Sequence, residues 1–175
     1  AFKLPNLFRR LTADGAMTNA FLPVFAHVRT TQGRSSALIL AAEVQIILLL
    51  ALSMIVVLAE IFMPSVIAFL APGFVDDATL FDSTVALARI TIPYLPMISL
   101  VALWAAVTNA HNRFFGGAAA PVILNICLIG GILTTPILGH VTSHLGVEMG
   151  IFHLVLPLCL AVLLAGVAQM MLMQR

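Results

Sequence analysis

Charge is scarce in this sequence. Only 9% of its 175 residues are Asp, Glu, Lys or Arg, against about 25% in a soluble domain. With 62% hydrophobic residues and a mean hydropathy of +1.14, the chain cannot furnish a water-facing surface, and it reads as an integral membrane protein. Cysteine is scarce too. Cys127 and Cys159 stand alone in apolar runs, which excludes a disulfide framework and gives both the role of small buried hydrophobes. There is no basic cluster interleaved with aromatics, so nucleic acid is not a partner. G-x-x-x-x-G-K-[ST], H-E-x-x-H and C-x-x-C are all missing, and no nucleophile–base pair or metal cluster stands in for them. The sequence therefore points away from an enzyme and calls for no cofactor and no metal. His27, His111, His140 and His144 fall at the edges of apolar runs, and His153 lies near the start of the last one.

What is present is a set of long apolar runs separated by short polar ones. The pattern predicts an all-α polytopic bundle with about five spans. The first ends near His27 and is followed by a polar loop over 29–36. The second covers 38–58, enough to cross a hydrocarbon core of about 30 Å. Pro64 ends it, and the apolar stretch 65–74 is too short to span and belongs at the interface. Asp76, Asp77 and Asp82 follow as an acidic patch. The third span covers 84–109, with Pro93 and Pro96 predicting a bend, either a static kink or a hinge. The fourth covers 118–138, with Gly130-Gly131 as a thin, flexible point and a polar loop over 140–148. The fifth runs over 149–173. Arg29, Arg34, Arg113 and Arg175 fall after odd-numbered spans; the intervening loops hold Asp76, Asp77, His140, His144 and Glu148 without Lys or Arg. By the positive-inside rule, the loops at 28–36 and 111–117 are cytoplasmic and those at 75–83 and 139–148 periplasmic.

Against this background, residues 4–16 (Leu-Pro-Asn-Leu-Phe-Arg-Arg-Leu-Thr-Ala-Asp-Gly-Ala) stand out. Asn6, Arg10, Asp14 and Thr18 recur at four-residue steps, one stripe of a helix. Arg9 lies about 100° away and flanks that stripe. Ionisable groups at membrane depth are expensive and mark function by default. A guanidinium stays charged at any working pH and offers two-pronged donation to phosphate oxygens. Asp14 lies one turn after Arg10 and could hold it when no anion is bound. The alternative is that Arg9 and Arg10 snorkel to the cytoplasmic interface. Elsewhere, Glu43 is expected at an interface, Arg89 beside the acidic patch or at the periplasmic interface, and Asn109 and Asn125 in interhelical hydrogen bonds.

The stretch Ala1-Phe2-Lys3-Leu4-Pro5-Asn6-Leu7-Phe8-Arg9-Arg10, with Asp14-Gly15-Ala16 and Ala20-Phe21-Leu22-Pro23-Val24, resembles the second helix of the MurJ/MviN lipid II flippases. Matches continue in order at Leu70-Ala71-Pro72-Gly73-Phe74, Ala88-Arg89-Ile90 with Pro93-Tyr94-Leu95, Asn109-Ala110 with Arg113-Phe114, and Ala120-Pro121-Val122-Ile123-Leu124-Asn125. The resemblance is weakest after Thr135. It implies membership of the multidrug/oligosaccharidyl-lipid/polysaccharide exporter superfamily, with about fourteen helices in two lobes. Residues 1–175 would then be helices two to six of the N-terminal lobe, with the part upstream of Ala1 missing. The implied activity is movement of the undecaprenyl-pyrophosphate-linked peptidoglycan precursor to the periplasmic leaflet, with membrane lipids and cell-wall synthesis proteins as partners. The resemblance makes Arg9 a cavity residue, with Arg10, Asn6 and Asp14 on neighbouring family positions. The family usually has Glu where Asp14 stands, so the charge is kept with a shorter reach. Two other readings stay open: an exporter of a different lipid-linked oligosaccharide or a drug, and a truncated chain that transports nothing. A multidrug exporter would favour acidic and aromatic cavity residues over the Arg9-Arg10 pair.

Overall fold

The computed structural model describes residues 16–110, 115–144 and 150–173. Among them the elements are α1 (Ala16–Gln32), α2 (Arg34–Ile61), α3 (Met63–Leu70), a 3-10 turn (Pro72–Phe74), α4 (Ala78–Thr91), α5 (Tyr94–Asn109), α6 (Phe115–His144) and α7 (Ile151–Met173). Among the described residues four stretches are long and apolar enough to cross a membrane: Arg34–Ile61, Ala78–Asn109, Phe115–Pro136 and Phe152–Met173. They correspond to the second to fifth expected spans. The first expected span begins outside the described residues.

Proline and glycine set the joints. Between α1 and α2 the expected loop over 29–36 is replaced by Gly33 alone, whose φ of 90° closes the turn. The polar residues before it remain helical because Thr30 and Thr31 return their hydroxyls to the His27 carbonyl at 2.9 and 2.8 Å, so helix and polarity coexist there. α2 stops at Ile61, one residue before α3, and Pro64 lies in the first turn of α3. That is a break without a loop. The expected bend in the third span is present: α4 ends at Thr91 and α5 begins at Tyr94, with Pro93 between them. Pro96 cannot donate to the Ile92 carbonyl, which takes the Leu95 N–H at 3.0 Å instead. α6 runs on to His144, so the polar run from His140 begins inside a helix rather than a loop.

α5 is the central rod. It packs against α1 and α2 on one flank and α6 and α7 on the other; α7 also packs along α4 and α6. One core joins Phe21 and Phe25 of α1, Ala37 and Ala41 of α2, and Leu103, Ala106 and Val107 of α5. A second joins Met63 and Ile67 of α3 to Val85 and Ala88 of α4 and to Ile92. A third ties Tyr94, Ile98 and Val101 to Ala120 of α6 and Val162 of α7. α6 and α7 run antiparallel and close together. A Cβ on Gly116 would lie 3.1 Å from the Met173 sulfur, and one on Gly131 would lie 2.9 Å from Ala161 Cβ and 3.1 Å from the Pro157 carbonyl oxygen. Gly131 is thus a point of close helix approach, while Gly130 faces open space.

Among the described residues, the polar residues buried as a whole are few: Thr84, Thr91, Ser99 and Gln169. The three hydroxyls bond carbonyls one turn back on their own helices, at 2.7, 2.6 and 2.9 Å, which satisfies them locally. Cys159 is buried as expected, whereas Cys127 is half-buried.

Candidate functional site

Asn6, Arg9, Arg10 and Asp14 lie outside the described residues. What is described is the helix that follows them. α1 turns Phe21 and Phe25 inward, with ring centroids 5.5 Å apart, and these rings seat it against α2 and α5. At its far end Arg29 donates from Nη1 to the Ala110 carbonyl oxygen. That carbonyl is one of those a helix terminus leaves without an internal donor, and a cation there also meets the negative end of the helix dipole. Arg29 therefore ties the end of α1 to the end of α5 and puts both at the same end of the bundle.

A trough runs along the other flank of α5. Gln45 of α2, Leu100, Val101 and Trp104 of α5, and Met170 and Met173 of α7 enclose a cavity of about 330 Å³. Its walls are apolar, and its polar handles are the Gln45 amide and the Trp104 indole. A second, almost wholly apolar cavity of about 410 Å³ lies between α6 and α7, beside Cys127, Thr134 and Pro157. Among the described residues neither lining carries a charge. Among the described residues no group of three or more His, Cys, Asp or Glu could hold a metal ion. Such surfaces can bind, shield and slide against amphipathic molecules.

Other expected residues fall as follows. Glu43 is exposed on α2. Asp76, Asp77 and Asp82 are exposed, and Asp77 caps α4 by accepting the Leu80 N–H at 3.0 Å. Arg89 pairs not with that patch but with Glu60: its Nε lies 3.7 Å from Glu60 Oε2. The asparagines differ from expectation. Asn125 is exposed, and Asn109 Oδ1 is buried without a donor. Gln169 does make a bond between helices: its Nε2 donates to the Ala120 carbonyl at 2.7 Å. A lone amide in the apolar run of α7 was its available signal. The trough had none, because its lining comes from three helices far apart in sequence.

A profile described as lipid II flippase MurJ matches residues 1–174. The chain belongs to the lipid II flippase MurJ family. A probable lipid II flippase MurJ of Rickettsia prowazekii is 42% identical over 129 residues, 74% of this chain and 25% of that protein. Another, from Rhizobium tropici, is 41% identical over 133 residues, 75% of this chain and 25% of that protein. The lipid II flippase MurJ of Burkholderia cenocepacia is 34% identical over 169 residues, covering 97% of this chain and 30% of its own length. The chain thus spans about a quarter of the length of the first two relatives. The MurJ match includes the arginine-bearing stretch and all seven described helices.

Proposed function

We propose that this chain is part of the N-terminal lobe, helices two to six, of a transporter that moves lipid-linked peptidoglycan precursor from the cytoplasmic to the periplasmic leaflet by alternating access. The match to the lipid II flippase MurJ family along residues 1–174 carries this reading. No finding favours an exporter of another lipid-linked sugar or a drug. In the proposal the protein performs no covalent chemistry. It lowers the barrier that hydrocarbon presents to a diphosphate headgroup.

Arg9 is the main contact to that diphosphate, with Arg10 and Asn6 beside it and Asp14 holding Arg10 between substrates. Burial of a guanidinium is tolerable where an anion and water share the cavity. The ends of α1 and α5 and the start of α6 face the cytoplasm, in keeping with Arg29, Arg34 and Arg113. An inside-negative potential then favours outward travel of the anion, by roughly 2.3 kcal/mol per charge per 100 mV if the whole field is crossed.

The test is lipid II flipping by the full-length protein in proteoliposomes. A charge-assisted hydrogen bond contributes about 1.5–3 kcal/mol, so Arg9→Ala should slow flipping roughly tenfold or more, and Arg9→Lys should retain an intermediate rate. Wild-type flipping by Arg9→Ala would remove Arg9 from the site.

A further inference from the structure

Two proline breaks lie side by side in this bundle. α2 breaks at Phe62, and the α4–α5 span breaks at Ile92-Pro93. Met63, immediately after the first break, shares a buried cluster with Ala88 and Ile92 at the second. Pro64 has no N–H to give the carbonyl four residues back, which is that of Glu60. Arg89 takes up the vacancy: its Nη2 approaches the Glu60 carbonyl oxygen at 3.4 Å, while its Nε faces the Glu60 carboxylate at 3.7 Å. One guanidinium thus serves the backbone and the side chain of the same residue, across the gap between α2 and α4. Arg89 belongs to the segment between the two breaks and Glu60 to the segment before the first, so this contact crosses the first break, at Phe62.

Its depth suits a latch. Counting from Arg34, Glu60 lies roughly 39 Å along α2, beyond a hydrocarbon core of about 30 Å. Both side chains are partly exposed, Arg89 at 47% and Glu60 at 34%, so water can take their place when they part. Val56 and Ala59 of α2 and Phe81 of α4 are only partly buried against the Met63–Ile92 cluster.

We propose that Arg89 latches a joint made of the two proline breaks, fixing the angle at which α3 and α4 leave the end of α2. With the latch closed, the freed Glu60 carbonyl has a donor and the joint holds one angle. With it open, α3 and α4 swing against α2 about Phe62 and Ile92-Pro93. This does not depend on what the parent protein carries.

The test uses the full-length protein in nanodiscs, with Cys127 and Cys159 replaced by serine and spin labels at Val57→Cys and Asp82→Cys, both exposed positions. Pulsed electron resonance reads the distance distribution between the labels. Arg89→Gln should broaden it and add a population displaced by roughly half a helical turn, about 3 Å. Glu60→Gln keeps the backbone contact and should broaden it less. Pro64→Ala returns an N–H to the Glu60 carbonyl, so on the Arg89→Gln background it should narrow the distribution again. An unchanged distribution in Arg89→Gln overturns the latch. Broadening that Pro64→Ala fails to reverse overturns the role of the carbonyl.

Discussion

α2 and the α4–α5 span make an instructive pair. Both are long and apolar, and α2 is the more hydrophobic, with a hydropathy of 2.6 against 1.9. Yet only 6% of the most apolar window of α2 is buried within the protein, compared with 61% for Ala78–Asn109. In water the order would be reversed, because exposed Leu and Ile would be driven inward. In a bilayer, tails are as apolar as leucine, so hydrophobicity does not choose the centre. The centre goes to the helix that can be approached closely and can satisfy its own polar groups. α5 and the end of α4 offer Thr91 and Ser99, each bonded to its own helix. α2 presents Ile46, Ile47, Leu50, Met54 and Val57 outward.

Truncation at matched positions sharpens that contrast. Leu103 is fully buried on α5, so Leu103→Ala leaves a cavity and should cost about 2–5 kcal/mol, read from unfolding of the full-length protein in detergent. A smaller effect is expected from Gln169→Leu. Interhelical polar contacts in membranes average about 0.6 kcal/mol, with a maximum near 1.7, and the lost partner here is the Ala120 carbonyl. The smallest effect belongs to Leu50→Ala on α2. Leu50 is 67% exposed and makes few contacts within this chain, so stability should move by less than about 0.5 kcal/mol. A Leu50→Ala loss as large as that of Leu103→Ala would break the comparison and place an undescribed partner against α2.

Spans and bends were legible because hydropathy and proline act locally. Residues 38–58 lie inside α2, and Pro93 falls where α4 gives way to α5. The joints were less so. Thr30 and Thr31 look like loop residues until their hydroxyls are seen closing on His27, and α6 likewise runs on to His144 through residues that read as loop. Partners across helices were illegible. Nothing local selects Glu60 over Asp76 for Arg89, or Gln169 over Asn125 for a crossing bond, since both choices are made by helix rotation and packing. The arginine-bearing stretch was conspicuous for a different reason: cost in lipid singles out Arg9 and Arg10 whatever surrounds them.

Gly33 carries a consequence of its own. A one-residue junction at φ 90° stores no slack, and the left-handed backbone it needs suits few residues besides glycine. α1 cannot be drawn along its axis without dragging the neighbouring rod with it. In the folded protein any push delivered to one is therefore felt by the other within the width of a single peptide unit.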